Sequence, residues 1–301
     1  MSQSKLQSWT KAARLRTLPL ALASVALGAV VAAKEPSFHH AAAWLAALTT
    51  LLLQVLSNFA NDLGDSSSGI DNDQRVGPRR TVQSGEISRK NMTKAVGVTA
   101  FFALLSGLWL IIGVAELSLT QIAVFLGLGL AAIAAAITYT IGKNPYGYIG
   151  LGDLFVFLFF GLLGVAGTFF VTVSDFKMDV LLPASAMGLW STGVLNLNNM
   201  RDHANDRFSG KRTLVVKMGY HNALLYHAFL VLTPFILLLV FVAGRQASAL
   251  SYLFLLGVIP FFKDLLDVFK VRNPADLDPF LKKLAIKTML VTLVFGITFL
   301  L

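Results

Sequence analysis

The chain has 301 residues, is 55% hydrophobic and only 14% charged, and its mean hydropathy is +0.69. A soluble domain carries about 25% charged residues, so the composition excludes an ordinary soluble fold and indicates a polytopic membrane protein. The absence of cysteine excludes disulfides, thiolate metal ligands and a cysteine nucleophile; the formal charge of +9 is read as membrane orientation and lipid contact, not nucleic-acid binding.

Spanning the hydrocarbon takes about 20 apolar residues. Nine stretches qualify, near 18–33, 41–61, 95–114, 119–141, 151–173, 180–200, 222–243, 248–265 and 284–301. The first lacks a convincing small-residue cleavage site and reads as a membrane helix, not a removed signal. The eighth is the weakest, because Pro260 and Lys263 interrupt it. Only helices or closed barrels satisfy their backbone in lipid. These runs are long, unalternating and rich in Leu, Ala and Phe, so the expected fold is an all-α bundle of about nine transmembrane helices, one domain over 1–301.

Lysine and arginine set the orientation. Lys5, Lys11, Arg14 and Arg16 precede the first span, and Arg75, Arg79, Arg80, Arg89, Lys90 and Lys94 follow the second. Arg201, Arg207, Lys211, Arg212 and Lys217 follow the sixth, and Lys263, Lys270, Arg272, Lys282 and Lys283 mark the connection from the eighth to the ninth. The opposite side has only Lys34, Lys177 and Arg245. The bias places the N-terminus, and every loop after an even-numbered helix, in the cytoplasm. The polar stretches 58–90, 139–153 and 198–217 follow the second, fourth and sixth spans, so all three are expected to meet at one cytoplasmic site.

The first stretch, "LSNFANDLGDSSSGIDNDQRVGPRR", places Asn58, Asp62 and Asp65 on one helical face, with Asn61 adjoining. The last, "LNLNNMRDHANDRFSGKRT", places Asn198, Asp202 and Asp206 at i, i+4 and i+8, with Asn199 adjoining. One such acid–base pair in a loop is ordinary solvated charge. Two matching Asn/Asp clusters on one membrane face point to a site, since ionisable groups at a membrane segment are costly. Carboxylate and amide oxygens without cysteine suit Mg²⁺, which bridges one or two carboxylates to substrate phosphates. The basic residues nearby, Arg75, Arg79, Arg80, Lys143, Lys211 and Arg212, are candidates for the phosphate oxygens. Gly69, Gly77, Gly85 and Gly210 would let loop backbone come close. The middle stretch, "ITYTIGKNPYGYIGLGD", sets Tyr139 and Lys143 one helical turn apart, with Asp153 at the next helix start. Tyr139 is the better candidate for contact with phosphate or a developing cation. Tyr146 and Tyr148 would be expected at a membrane interface in any case, which leaves their part in the site open. His203 points away from the acidic face and is taken as a bystander, and His39 and His40 lie on the other side.

Taken in order, "NDLGD", "YTIGK" and "DHAND" resemble the UbiA superfamily of intramembrane aromatic prenyltransferases, whose pattern has an Asp-rich motif after helix 2, YxxxK after helix 4 and DxxxD after helix 6. No single short motif is decisive, but the ordered set is specific and covers nearly the whole chain. "RLRTLPLALAS" and "VLNLNNMRDHANDRFSGKRTLVVKMG" look most like the branch acting on 1,4-dihydroxy-2-naphthoate in menaquinone synthesis. The common NDxxDxxxD spacing puts its last acid at Gly69, so the third acid is Asp71 or Asp73.

The resemblance implies a bacterial inner-membrane enzyme that joins a polyprenyl diphosphate to 1,4-dihydroxy-2-naphthoate with loss of carbon dioxide. It implies Mg²⁺ held by Asp62, Asp65, Asp202 and Asp206, with Asn58, Asn61, Asn198 and Asn199 in support. Lys143, Arg79, Arg80, Lys211 and Arg212 would bind phosphate oxygens. Tyr139 would face the allylic cation, and the loop 66–90 would act as a lid. Asp153 would orient Lys143 or bind the acceptor, and Arg14 or Arg16 would reach the naphthoate carboxylate. Rival readings are prenyl transfer to another ring such as 4-hydroxybenzoate, and a transporter.

Overall fold

The computed structural model describes residues 5–67, 77 and 79–301, and among them the chain is helical, with no strand. Among the described residues, nine helices are long and apolar enough to cross a membrane: α1 Lys5–Ala32, α2 His40–Ser67, α3 Arg89–Val114, α4 Leu119–Thr138, α5 Gly152–Val173, α6 Met178–Phe208, α7 Tyr220–Gly244, α8 Ala249–Lys270 and α9 Pro274–Leu300. The protein is therefore a multi-pass membrane protein with the expected nine spans.

The boundaries differ in an instructive way. Hydropathy ends the second and sixth spans near 61 and 200, but α2 runs on to Ser67 and α6 to Phe208. At about 1.5 Å per residue, each is longer than the roughly 30 Å hydrocarbon core. The extra turns are the charged ones, so both acidic clusters ride on continuous helix. The first helix also starts early, at Lys5, and is broken at Arg14, whose φ of 50° is left-handed. A 3₁₀ turn, Leu15–Thr17, follows, and Pro19 enters in the first turn of the helix that resumes, where a missing N–H costs nothing. In α8, Pro260 and Lys263 do not interrupt the span: a 3₁₀ stretch, Ala249–Gly257, passes into the α-helix Val258–Lys270 with Pro260 in its first turn.

Helix α6 lies at the centre, packed mainly on α5 and α7. Trp190 is fully buried there, its ring 5.2 Å from Phe235 and 5.7 Å from Phe261. Contact between α1 and α5 depends on the absence of side chains. A Cβ on Gly28 would stand 2.4 Å from the Val165 carbonyl oxygen. Nearby, the Ser24 hydroxyl donates to the Phe160 carbonyl, which lies in the wide π-helical turn Phe157–Gly167. Small residues that let backbones approach are the general device of membrane helix packing.

On the face opposite the acidic clusters, ion pairs tie three turns together. Glu35 meets Lys177 at 2.6 Å and Arg245 at 3.3 Å, and Arg245 also grips Asp179.

Candidate functional site

The break in α1 explains the first cluster. Asn58 is 2% exposed, and its amide donates to the Ala13 carbonyl (2.8 Å) and to Thr17 Oγ1 (3.0 Å). It therefore splints the kink that carries Arg14 and Arg16. One turn on, Asp62 is also 2% exposed. Its Oδ2 accepts from the Thr81 hydroxyl (2.7 Å) and amide (3.1 Å), and its Oδ1 from the Val82 amide (3.1 Å). Asp62 thus anchors the turn that leads into α3. That turn is held from the other side by Lys11, whose Nζ donates to Glu86 at 2.5 Å. The hydrogen bond from Lys11 keeps the Glu86 carboxyl below its ordinary range. Asp65 takes Arg80 Nη2 and the Tyr148 hydroxyl, each at 2.8 Å. Asn61 lies beside Thr140 Oγ1 at 3.4 Å. Arg79 is exposed at the rim. Arg75, Asp71, Asp73 and Gly69 lie outside the described residues.

The second cluster is organised by a residue that sequence reasoning counts among the loop cations. Arg201 is 2% exposed. Its guanidinium takes Asp202 with two bonds, Nε–Oδ1 at 2.9 Å and Nη2–Oδ2 at 2.6 Å. It also reaches Asn198 Oδ1 at 2.9 Å, and Asp278 at the start of α9. Arg16, expected to meet an acceptor carboxylate, faces Asp278 at 3.5 Å instead. Asp206 is 2% exposed and pairs with Lys211 at 3.5 Å through Oδ1, and its Oδ2 accepts no hydrogen bond. Asn199 is likewise buried with an unbonded Oδ1. His203 Nδ1 lies 2.9 Å from the Met200 carbonyl of its own helix, as befits a bystander.

The turn between α4 and α5 closes the site. Gly64, inside "NDLGD", lets it approach: a Cβ there would meet Thr140 Oγ1 at 2.4 Å. Thr140 Oγ1 instead donates to the Ala60 carbonyl at 3.0 Å. This brings Tyr139 over the cluster, with its ring against Gly147 and Gly152. Burial pushes the Tyr139 phenol above its usual range, and the carboxylates of Asp153, Asp65 and Asp206 push it further, with Arg14 opposing. Tyr139 therefore stands among acids from α2, α5 and α6. Tyr139 and Lys143, expected one helical turn apart, do not share a helix. Helix α4 ends at Thr138, the chain turns, and Lys143 is exposed while Tyr139 is partly buried. Tyr148 is more than interfacial. Besides bonding Asp65, it lies under the Lys211 ammonium, 5.7 Å from ring centre, and its carbonyl accepts the Arg212 amide at 2.8 Å. The Arg212 side chain is exposed.

The structure thus gathers Asp62, Asp65, Arg80, Tyr139, Asp153, Asp202, Asp206 and Lys211 at one end of the bundle. It leaves Arg79, Lys143 and Arg212 at the rim and gives Asn58 and Arg16 to bracing contacts. Arg201, Asp278, Thr81 and Tyr148 are missed by sequence reasoning. Only the adjacency of Arg201 to Asp202 hinted at any of them. Among the described residues, no three His, Asp or Glu side chains enclose a metal position by themselves. Away from the acids, an apolar groove opens between α2, α3, α4 and α5, lined by Leu53, Phe125 and Leu163 among others.

A nine-span bundle carrying buried carboxylates from two overlong helices at one end, each set interleaved with Arg or Lys, defines a multi-pass membrane protein with a polar candidate site at that end. The chain belongs to the UbiA prenyltransferase family, whose pattern it matches over residues 21–300. It is 40% identical over 299 residues to the 1,4-dihydroxy-2-naphthoate octaprenyltransferase of Haemophilus influenzae, covering 99% of this chain and 97% of that protein. It is 41% identical over 292 residues to the Escherichia coli protein of the same name, covering 97% and 94%. Its fold is similar to that of a UbiA homolog from Archaeoglobus fulgidus bound to DMAPP and Mg²⁺, with a TM-score of 0.65, 14% identity and coverage of 98% and 99%.

Proposed function

We propose that the protein transfers a polyprenyl group from polyprenyl diphosphate to 1,4-dihydroxy-2-naphthoate, releasing carbon dioxide and giving a demethylmenaquinone in its quinol form, at the cytoplasmic face of a bacterial inner membrane. The observation that carries this reading is near-full-length identity to two proteins of that name. The acidic site fits it. A transporter would hold its polar site near the bilayer midplane on broken helices, whereas these acids sit on the end turns of α2 and α6.

The donors fit Mg²⁺. They are carboxylate oxygens, hard ligands without sulfur, and Asp206 Oδ2 is buried with no hydrogen bond. Asp62 and Asp65 would hold one ion and Asp202 and Asp206 another. An open shell suits an ion that keeps water and takes phosphate oxygens as ligands. Bound there, it neutralises the diphosphate as a leaving group. The protein supplies the rest. Arg80 and Lys211, already turned towards Asp65 and Asp206, bind phosphate oxygens, and Arg79, Lys143 and Arg212 draw the headgroup in from the rim. The Tyr139 ring stabilises the allylic cation. The turn anchored on Asp62 covers the site and excludes water. The isoprenoid tail runs down among the apolar helices.

The test is a reconstituted assay in detergent or liposomes. Farnesyl diphosphate and 1,4-dihydroxy-2-naphthoate are mixed with the protein in Mg²⁺ or EDTA, and product is read by mass. Product is expected only with Mg²⁺, at the mass left after loss of carbon dioxide. Asp62→Ala and Asp202→Ala should abolish turnover in folded protein. Product with 4-hydroxybenzoate instead would correct the acceptor, and near-normal turnover in both variants would sink the metal assignment.

A further inference from the structure

Among the described acids of the site, Asp153 has neither an ion pair nor a hydrogen bond of normal geometry. It lies in the first turn of α5 and is 6% exposed. Neither carboxylate oxygen closes a hydrogen bond. Lys143, a partner suggested by the sequence, is exposed. Asp65, Asp202 and Asp206 have Arg80, Arg201 and Lys211, and Asp62 has the Thr81 and Val82 amides. An acid near a helix start is commonly a capping or dipole residue, but the backbone N–H that acts on Asp153 is its own, and it closes no bond of normal geometry. Its neighbours are two phenols. The Tyr139 hydroxyl lies against Gly152, the residue before Asp153, and the Tyr226 hydroxyl of α7 interacts with the carboxylate without closing a bond of normal geometry. A buried carboxylate left unbonded is costly. It makes sense where a ligand hydroxyl completes it.

We propose that Asp153 is the catalytic base that accepts the proton of an acceptor hydroxyl. This rests on the prenyl-transfer reading above. As the bond from the prenyl carbon to diphosphate oxygen breaks, its electron pair leaves with the diphosphate. The ring carbon bearing the carboxylate bonds to the cation. The hydroxyl proton passes to Asp153, and the O–H electron pair becomes part of a carbonyl. When the bond to the carboxyl carbon breaks and carbon dioxide leaves, that pair restores the aromatic ring and the oxygen takes its proton back from Asp153. The proton is borrowed and returned, so no other reactant is needed. The placement suits this. Asp153 is next to Tyr139, where the cation forms, and belongs to neither metal-binding pair. Proton acceptance at this site would not compete with the diphosphate.

The test uses the full-length protein in detergent with farnesyl diphosphate, Mg²⁺ and 1,4-dihydroxy-2-naphthoate. Asp153→Asn is expected to lower kcat about a hundredfold or more, to leave the KM for farnesyl diphosphate within about threefold, and to unfold at the wild-type temperature. Asp153→Glu, which keeps a carboxylate, is expected to recover a large part of the rate. A ring-halogenated dihydroxynaphthoate, whose hydroxyl is more acidic, is expected to narrow the gap between Asp153→Asn and wild type. A fully active Asp153→Asn, a Glu variant as slow as the Asn variant, or an unchanged gap with the acidic acceptor would overturn the assignment. Failure of the wild-type protein to prenylate the naphthoate would instead overturn the reading on which it rests.

Discussion

Arg201 shows how much one residue can organise. Its guanidinium serves Asp202, Asn198 and Asp278 at once and is nearly sealed from solvent. It joins α6 to the start of α9 and sets the orientation of one carboxylate that the proposed reaction needs. Removing one member of a buried ion pair leaves the others charged and dry, which costs about 3–5 kcal/mol. Arg201→Gln should therefore lower stability by that order, read from denaturant unfolding in detergent. Asp278→Asn should cost clearly less, because its side chain keeps 36% of its exposure and water can take over. Equal losses would show that Arg201 is not the centre of the network. The sequence does not reveal this role. A charge count treats Arg201 as one more cytoplasmic cation, because it cannot tell that α6 continues past Met200 and turns the residue inward. The four carboxylates were legible, because Asn and Asp at helical spacing leave a pattern. Their partners Thr81, Tyr148 and Arg201 were not, because each comes from a different segment or faces against the pattern.

At the scale of elements, hydropathy located all nine spans and misjudged their ends. The error has one cause. A hydrophobic window ends where charges begin, but a helix needs only unbroken hydrogen bonds and a place to put its side chains. In α2 the charged turns find that place against Thr81, Val82 and Tyr148, and in α6 against Asp278 and Lys211. Packing between elements is equally hidden, since a glycine in an apolar run reads as filler. Gly28 is the clearest case. A valine there would bring its Cβ within 2.4 Å of the Val165 carbonyl and 2.9 Å of Thr168 Cβ. Backbone cannot yield as a side chain tip does, and overpacking costs about 1–3 kcal/mol even in forgiving cores. Gly28→Val should sharply reduce the yield of monodisperse protein in size-exclusion chromatography. Gly129→Ala, where a Cβ meets nothing within 4 Å, should behave as wild type. A well-behaved Gly28→Val protein would mean that α1 and α5 can separate without loss of fold.

For the whole molecule the question is which end faces the cytoplasm, and from the charge we propose that it is the end with the acids. The end that carries the acids also carries Lys11, Arg16, Arg80, Arg201 and Lys211, whereas the other end has Lys34, Lys177 and Arg245. Two of those three are ion-paired, Lys177 to Glu35 and Arg245 to Glu35 and Asp179. Lysine and arginine, whose number and not whose net charge biases orientation, are concentrated at the site end. The same asymmetry serves the proposed chemistry, because a water-soluble aromatic acid and a diphosphate headgroup both reach the membrane from the cytoplasm. The cysteine-free chain is its own labelling background. Single cysteines at Glu116, in the turn between α3 and α4, and at Asn144, in the turn between α4 and α5, are both exposed positions at opposite ends. In intact bacterial cells, a membrane-impermeant maleimide should modify Glu116→Cys and spare Asn144→Cys until the membrane is permeabilised. The reverse pattern would put the acidic site outside, away from its substrates, and the bundle would have to be turned over.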